Sequence, residues 1–435
     1  MAQEGVAGQR LTAHMAPMPN AQRALTVNLG CRLNASETEA MAHLAETSSQ
    51  RIGGPAPVIV NTCAVTKEAV RQSRQAIRRA AKAHPGRPVI VTGCAAELEP
   101  QAFEGMPEVS RRIPNRVKAE PSAWFLPEQT EQKPRQLDVR APLAVQNGCD
   151  HRCTFCIIPY GRGDARSLPI TAAVDQALAL VDRGAQEIVL TGVDLTSWGP
   201  DLDAGLTLGH LVDALDRALP SQTWLRLSSI DGAEIDDRLF ELMKGSTRIT
   251  PYAHLSLQSG DDMILKRMKR RHSREQAIAL CRRLREARPD MAFGADIIAG
   301  FPTETEEMFA ASEALIDDCG LSYVHVFPFS PRQGTPAARM PQLERSVIKD
   351  RALRLRCAAD RALRRHLADR SGQTRTLLIE EIKEGQPRGR LADFTPVHLN
   401  TSQDVAPGER LQAKLTWSEG DRHLTGTPLP FEHGR

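Results

Sequence analysis

Residues 148–156 read GCDHRCTFC and set Cys149, Cys153 and Cys156 at C-x3-C-x2-C spacing. Three thiolates are one too few for a closed tetrahedral zinc site, and one too few for a fully ligated cubane iron–sulfur cluster. A metal held with one position open is arranged for chemistry rather than for bracing a fold. A second set has the same character. Cys31 in NLGCRLN, Cys63 in VNTCAV and Cys94 in VTGCAA each follow a short apolar run. If those runs are parallel strands, the three thiols share one edge of one sheet. Burial as small hydrophobes is the plainer reading of a free cysteine. Three coincident placements favour a second open metal site instead. Cys281, Cys319 and Cys357 lie in helical patterns without partner spacing, and are expected to be buried structural thiols.

The elements that must position these residues follow from the hydrophobic pattern. Over residues 23–120, RALTVNL, PVIVN (57–61) and RPVIVTG (87–93) alternate with helical stretches near Ala35–Glu46 and Lys67–His84. This is the signature of a parallel α/β sheet. Residues 121–139 are rich in Pro, Gln and Glu and read as a linker. From 140 to 340, six candidate strands are separated by helices: LAVQ (143–146), EIVLTG (187–192), WLRLSS (224–229), AHLSLQ (253–258), FGADIIAG (293–300) and YVHVFPF (323–329). A partial (β/α)6 barrel is expected, with a doubly wound open sheet as the competing layout. Residues 341–370 read as a long Arg-rich helix that closes a domain spanning 140–370. Residues 371–435 switch to short strands with Gly/Pro turns, the pattern of a small β-barrel.

In either layout ligand groups gather at the carboxyl ends of the strands. The cysteine nonapeptide falls at such an end. So do Gly192, Ser228, Ser229, Gln258, Asp296 and Gly300. Gly and Ser punctuate strand ends on their own account, but several in register with a cysteine loop point to one ligand site.

Composition narrows the partners. The 435 residues carry a net charge of +3 with 25% charged residues, so any nucleic-acid surface must be local. Aromatics at 4% argue against base stacking as the main binding mode. Arg71, Arg74 and Arg78 share one helix face, KRMKRRH (266–272) carries Lys269 and Arg270, and residues 351–365 form a third basic stretch. Such runs are usually solvated faces. Beside two metal sites and a terminal β-barrel, they favour a phosphate-backbone partner. Nine cysteines without a secretory signal, and no apolar run near the ~20 residues of a membrane span, imply a reducing, cytoplasmic setting without a membrane. Residues 1–22 read as a disordered extension. Glu4 and the missing Arg-rich pattern argue against an organelle presequence.

The nonapeptide, with Phe155 before its last cysteine, resembles the signature of radical S-adenosylmethionine (SAM) enzymes. NTCAVT, GCDHRCTFCIIPYGRG, TGVDLTSWG, HLSLQSGDDMILKRMKRR, DIIAGFPTET and FSPRQGTPAARM together resemble the radical SAM methylthiotransferases. NTCAVTKEAVRQSRQAIRRA looks like the branch acting on N6-threonylcarbamoyladenosine in tRNA. His272 stands where that family pattern has tyrosine. The resemblance implies an N-terminal cluster domain, a radical-SAM barrel and a C-terminal TRAM β-barrel. It implies two [4Fe–4S] clusters, on Cys149, Cys153 and Cys156 and on Cys31, Cys63 and Cys94. SAM would lie among Gly192, Ser228 or Ser229, Gln258 and Asp296, with backbone amides near Gly192 holding its amino-acid moiety. The terminal barrel and the basic faces would grip the anticodon stem–loop of tRNA. An electron donor such as flavodoxin or ferredoxin and a sulfur donor are implied, with no stable protein partner. The same chemistry on isopentenyladenosine or on a ribosomal protein aspartate, and a zinc-bearing RNA-binding protein, are the competing classes.

Overall fold

The computed structural model describes residues 22–128 and 139–429. The extension expected through residue 22, most of the expected linker and the last six residues lie outside the described residues. The chain begins with β1 (Leu25–Asn28), α1 (Arg32–Ile52), β2 (Val58–Thr62), α2 (Lys67–Ala83), β3 (Val89–Gly93), the short α3 (Cys94–Leu98) and α4 (Pro100–Glu104), and β4 (Arg111–Arg112). The four strands pair in parallel in sequence order. β2 is buried along its whole length, as its unbroken VIVNT run requires of a sheet covered on both faces. Val58 and Val60 pack with Val70 and Ile77 on one face. Ile59 packs with Met41, Leu44 and Trp124 on the other. Trp124 and Leu126 therefore belong to this layer rather than to a linker. Trp124 Nε1 donates to Lys118 O at 2.8 Å, which satisfies the one polar atom the ring carries inward.

The second region runs β5 (Arg140–Ala144), β6 (Gln146–Asn147), α5 (Ile158–Arg162), β7 (Arg166–Ser167), α6 (Ile170–Asp182), β8 (Glu187–Thr191), α7 (Leu208–Ala218), β9 (Trp224–Leu227), β10 (Ser229–Ile230), α8 (Asp237–Gly245), β11 (Tyr252–Gln258), α9 (Asp262–Met268), α10 (Arg274–Ala287), β12 (Ala292–Ala299), α11 (Glu306–Asp318), β13 (Leu321–Pro328) and α12 (Arg345–Arg370). Parallel sheets β5-β8-β9 and β10-β11-β12-β13 are interrupted only at Ser228, and they share one core. Strand order follows sequence order throughout. Right-handed crossovers then place every helix on the same face, and the sheet curls into a barrel. A doubly wound sheet would reverse its order and is set aside. β5 and β13 are not paired, so the barrel of six strand positions stays open on one side. The first strand begins at Arg140, earlier than the LAVQ pattern suggested. Arg140 Nε bonds Glu187 Oε1 at 2.9 Å, while Gln146 leaves the ladder for a short hairpin with β7.

β14 (Thr374–Lys383), β15 (Gln386–Leu391), β16 (Pro396–Leu399), β17 (Arg410–Thr416) and β18 (Leu424–Pro428) form a closed barrel in the order 14-15-16-18-17. α12 ties it to the open barrel. Leu355 and Ala358 lie in one core, Leu363 and Leu367 in the other. Cys281 and Cys319 are buried neighbours, whereas Cys357 is exposed on α12 and is not the structural thiol its helical pattern suggested. No described helix is long and apolar enough to cross a membrane.

His366 of α12 pins the two barrels together. Its Nδ1 lies 2.9 Å from Ser322 Oγ and its Nε2 lies 2.8 Å from Thr395 Oγ1. Thr395 in turn donates to Asp393 Oδ1 at 2.7 Å, so Nε2–H donates to Thr395. Burial, with Arg370 adding to it, lowers this imidazole from 6.5 to about 4. Between those values the unfolded chain binds the extra proton, so stability falls as pH drops from 6.5 through about 4. His366→Gln is expected to flatten that acid limb in melting temperatures measured from pH 7 to pH 4. An unchanged limb would remove His366 as its source.

Candidate active site

Cys149, Cys153 and Cys156 lie in a loop that the backbone constrains tightly. Gly148 has φ +72°, and a Cβ there would fall 1.9 Å from Asp164 O, so only glycine fits. Cys149 N donates to Gly163 O and Cys156 N to Cys153 O. Thr154 is moored to the start of the basic stretch, donating to Arg267 O at 2.8 Å and Met268 O at 3.1 Å. Burial pushes the thiols of Cys149 and Cys156 up, the latter to about 12. Arg270 Nη1 approaches Cys153 Sγ at 3.8 Å. The Cys149 and Cys156 thiols ionise fully only against a bound metal's charge, and a cationic donor faces the third cysteine, Cys153. The donor set fits a cluster with one open position.

The N-terminal triad is set by register. Asn28 pairs with Asn61 and Thr62 with Gly93, so the chain ends of three adjacent strands are level. Cys31 is the N-cap of α1, Cys63 follows β2, and Cys94 opens α3. A Cβ on Gly30 (φ +107°) would lie 2.9 Å from Cys63 Sγ. Burial raises the Cys63 thiol, and Cys94 and Cys31 act on it in the same direction. Asn115 Nδ2 donates toward Cys94 Sγ at 3.8 Å and to Gly161 O at 2.7 Å. Gly161 belongs to α5, directly after the other cysteines. A Cβ on it would lie 3.5 Å from Cys94 Cβ, and Cys94 acts electrostatically on Cys156. The two triads are neighbours across a domain boundary.

A buried ion cluster fixes that boundary. Arg162 donates twice to Glu37, at 2.8 and 3.0 Å, and also to Asn34 and Asn147. Lys118 Nζ lies 2.6 Å from Glu37 Oε2. Burial opposes ionisation of Glu37, but Lys118 and Arg162 outweigh it and hold the carboxyl below its usual range. The sequence reading missed these residues. The available signal was Asn34 and Glu37, one turn apart on the helix face that follows Cys31.

The expected SAM positions divide. Gly192 closes β8 against Gln146, whose Oε1 accepts from Val193 N and Asp194 N, both at 2.9 Å. The amides expected to hold an amino-acid moiety are therefore already engaged. Ser228 Oγ is buried without a partner, while Ser229 is exposed. Gln258 adopts φ +68° at an irregular point of the β11–β12 ladder. Asp296 lies within its strand rather than at the end. It contacts His254 at 3.0 Å and His325 at 3.2 Å, and those bonds outweigh burial and hold it at about 2. An unforeseen polar group borders Cys149. His151 Nε2 lies 3.0 Å from Asp194 Oδ2, a bond that raises it to about 9.

The basic residues also divide. Arg71, Arg74 and Arg78 line a cavity of about 720 Å³ with Lys67, Ile157 and Arg332. Arg71 pairs with Glu68 and Arg74 with Glu99, each at 2.6 Å. Lys269 is exposed. Arg270 turns inward, bonding Asp231 Oδ2 at 2.8 Å and Ser256 O at 2.7 Å, so it does not face an RNA backbone as expected. His272 is buried beside the same aspartate, at 3.7 Å.

Glu37→Gln leaves Arg162 and Lys118 buried without a counter-charge. Loss of about 3–5 kcal/mol is expected, read as a lower midpoint in urea unfolding. An unchanged midpoint would show that the cluster contributes nothing net.

Residues 143–316 match the Radical SAM superfamily, and residues 23–112 match the Uncharacterized protein family UPF0004. The threonylcarbamoyladenosine tRNA methylthiotransferase MtaB of Rickettsia prowazekii (strain Madrid E) is 45% identical over 420 residues, covering 92% of this chain and 97% of its own. Its Bacillus subtilis (strain 168) namesake is 34% identical, over 85% and 88% of the two chains. The tRNA-2-methylthio-N(6)-dimethylallyladenosine synthase of Zymomonas mobilis subsp. mobilis (strain ATCC 31821 / ZM4 / CP4) is 32% identical, over 89% and 93%. Among solved structures, the radical S-adenosylmethionine methyltransferase TsrM of Kitasatospora setae shares the fold at TM-score 0.52 and 15% identity, covering 73% of this chain and 74% of its own. Similarity at this identity along nearly the full length, on a site with six convergent thiols, settles the family: this chain is a transferase of the radical SAM methylthiotransferase family, whose members work with S-adenosylmethionine and a [4Fe–4S] cluster.

Proposed function

We propose that this enzyme methylthiolates C2 of N6-threonylcarbamoyladenosine beside the anticodon of tRNA, giving 2-methylthio-N6-threonylcarbamoyladenosine. The observation that carries the reading is the adjacency of two open thiol triads, with Gly161, just past Cys156, packed on Cys94. Identity to the relative named for threonylcarbamoyladenosine, 45% against 32% for the one named for dimethylallyladenosine, supports this substrate over the isopentenyl counterpart.

When bound, SAM and two [4Fe–4S] clusters supply the radical, the methyl group and the sulfur. The protein's part is to hold and to exclude. Cys149, Cys153 and Cys156 hold one cluster, and Cys31, Cys63 and Cys94 the other. Ser228, with its unpartnered buried hydroxyl, is the first candidate to meet SAM, with Gly192, Ser229, Gln258 and Asp296 around it. Arg71, Arg74, Arg78 and Lys269, with the closed terminal barrel, offer positive charge to the anticodon stem–loop, so binding weakens with salt. C2 is covered when bases stack, so the target adenosine leaves its stack to react. A reductant of the flavodoxin or ferredoxin kind and a sulfur donor complete the reaction.

Mass spectrometry of tRNA nucleosides from a strain lacking this gene, beside the complemented strain, tests the reading. Loss of 2-methylthio-N6-threonylcarbamoyladenosine with its precursor accumulating is expected. Loss of the isopentenyl counterpart would change the substrate, and an unchanged profile would redirect the chemistry to a ribosomal protein. In the purified enzyme, Cys63→Ala is expected to abolish methylthio transfer while 5′-deoxyadenosine still forms from SAM. Loss of both with the barrel cluster intact would sink the division of labour.

A further inference from the structure

Arg32 follows Cys31 directly and opens α1, where a cation meets the positive end of the helix dipole without an acidic residue in the first turn. Its guanidinium lies 5.5 Å over the Phe394 ring of the terminal barrel. Phe394 packs against side chains from four strands of the open barrel. Arg140 of β5 lies 5.2 Å above it, Tyr323 of β13 meets it edge-on at 5.8 Å, and Tyr252 stacks on it at 4.9 Å. Arg226 and Arg390 complete the ring of cations, at 5.3 and 4.3 Å. All three domains thus wall one recess.

The charges in that recess do not balance. Glu187 is taken by Arg140 and Arg226, and Glu380 by Arg140 and Arg390. Arg32 has no ion-pair partner among the described residues and keeps solvent access. Burial and the neighbouring guanidiniums of Arg140, Arg226 and Arg390 all disfavour its charge, so no ion-pair partner among the described residues offsets it. Arg226 Nη1 is fully buried and also unpartnered. Of the four guanidiniums over the Phe394 ring, three share Glu187 and Glu380 and Arg32 is left for an anion from outside; its planar fork pairs best with a carboxylate or phosphate.

Position decides between these. Arg32 is one residue from Cys31, so an adenine brought to the N-terminal triad would come within reach of its side chain. On adenine, C2 and C6, the carbon that bears N6, flank the same ring nitrogen, and the N6-threonylcarbamoyl group ends in a carboxylate. The isopentenyl group carries no charge and would leave Arg32 unpaired. We propose that Arg32 is a specificity-determining residue that receives the carboxylate of the N6-threonylcarbamoyl group. This rests on the substrate proposed above.

The test uses the full-length, cluster-loaded enzyme and four anticodon stem–loop RNAs. These carry N6-threonylcarbamoyladenosine, its threonyl methyl ester, N6-isopentenyladenosine or unmodified adenosine, and binding is read by fluorescence anisotropy. Wild type is expected to prefer the free acid over its ester about tenfold, the scale of one charged hydrogen-bonded contact. R32Q is expected to lose that preference while binding the other three RNAs as wild type does. R32K, which keeps the charge without the fork, retains part of it, and this separates loss of the contact from loss of the fold. R32Q with the wild-type preference overturns the proposal. R32Q weakened equally on all four RNAs also overturns it, and assigns Arg32 to a backbone phosphate. If wild-type enzyme fails to methylthiolate the free-acid RNA but acts on the isopentenyl one, the substrate reading itself falls. If it does methylthiolate the free acid while R32Q keeps the preference, only the role of Arg32 falls.

Discussion

The arrangement of this enzyme depends on one buried contact, the two-pronged bond of Arg162 to Glu37. Arg162 ends the short helix that follows the barrel cysteines, and Glu37 lies in the helix that Cys31 begins. Moving two such charges out of water costs about as much as their attraction returns, so the pair adds little to stability compared with an apolar contact of the same volume. What it adds is uniqueness. Glu37 is satisfied only when Arg162 and Lys118 both reach it, and Arg162 only when Asn34 and Asn147 are also in place. A sliding apolar interface would tolerate a shift of an ångström between the two sheets, and this one does not. The juxtaposition of Cys94 with Cys156 is thereby fixed before any cluster is present.

The same logic governs the contact with the terminal barrel. α12 spends its first half in one core and its last turns in another. The turn of the terminal barrel that carries Asp393 and Phe394 then docks on the open barrel, where Arg226 donates to Ala392 O and Tyr323 to Thr395 Oγ1. Asp393 is fully buried yet bonded to Arg370 and Thr395. Phe394 holds a φ of +75°, an uncommon conformation for a bulky residue that the surrounding bonds must maintain.

The strands could be read from the sequence because they are buried on both faces and so are written as β-branched runs, VIVNT being the plainest. The cysteine triads could be read because parallel strands level their chain ends. What escaped depends on contacts distant in sequence. Glu37 and Arg162 are 125 residues apart. Trp124 sits among prolines and glutamines, and only its place under Ile59 shows it to be core. Arg270 looked like surface because KRMKRRH is basic throughout. The left-handed turn at Lys269, φ +59°, reverses the chain and carries the next side chain inward to Asp231. Composition identifies a patch, but the direction of each side chain within it is a property of the backbone.

Because Phe394 supplies a wall of the recess beside Cys31, the terminal barrel is not a detachable handle. Replacing this barrel with one from a relative would import a foreign wall with it, and a change at Phe394 reaches Arg32 and Arg140, which lie over the same ring.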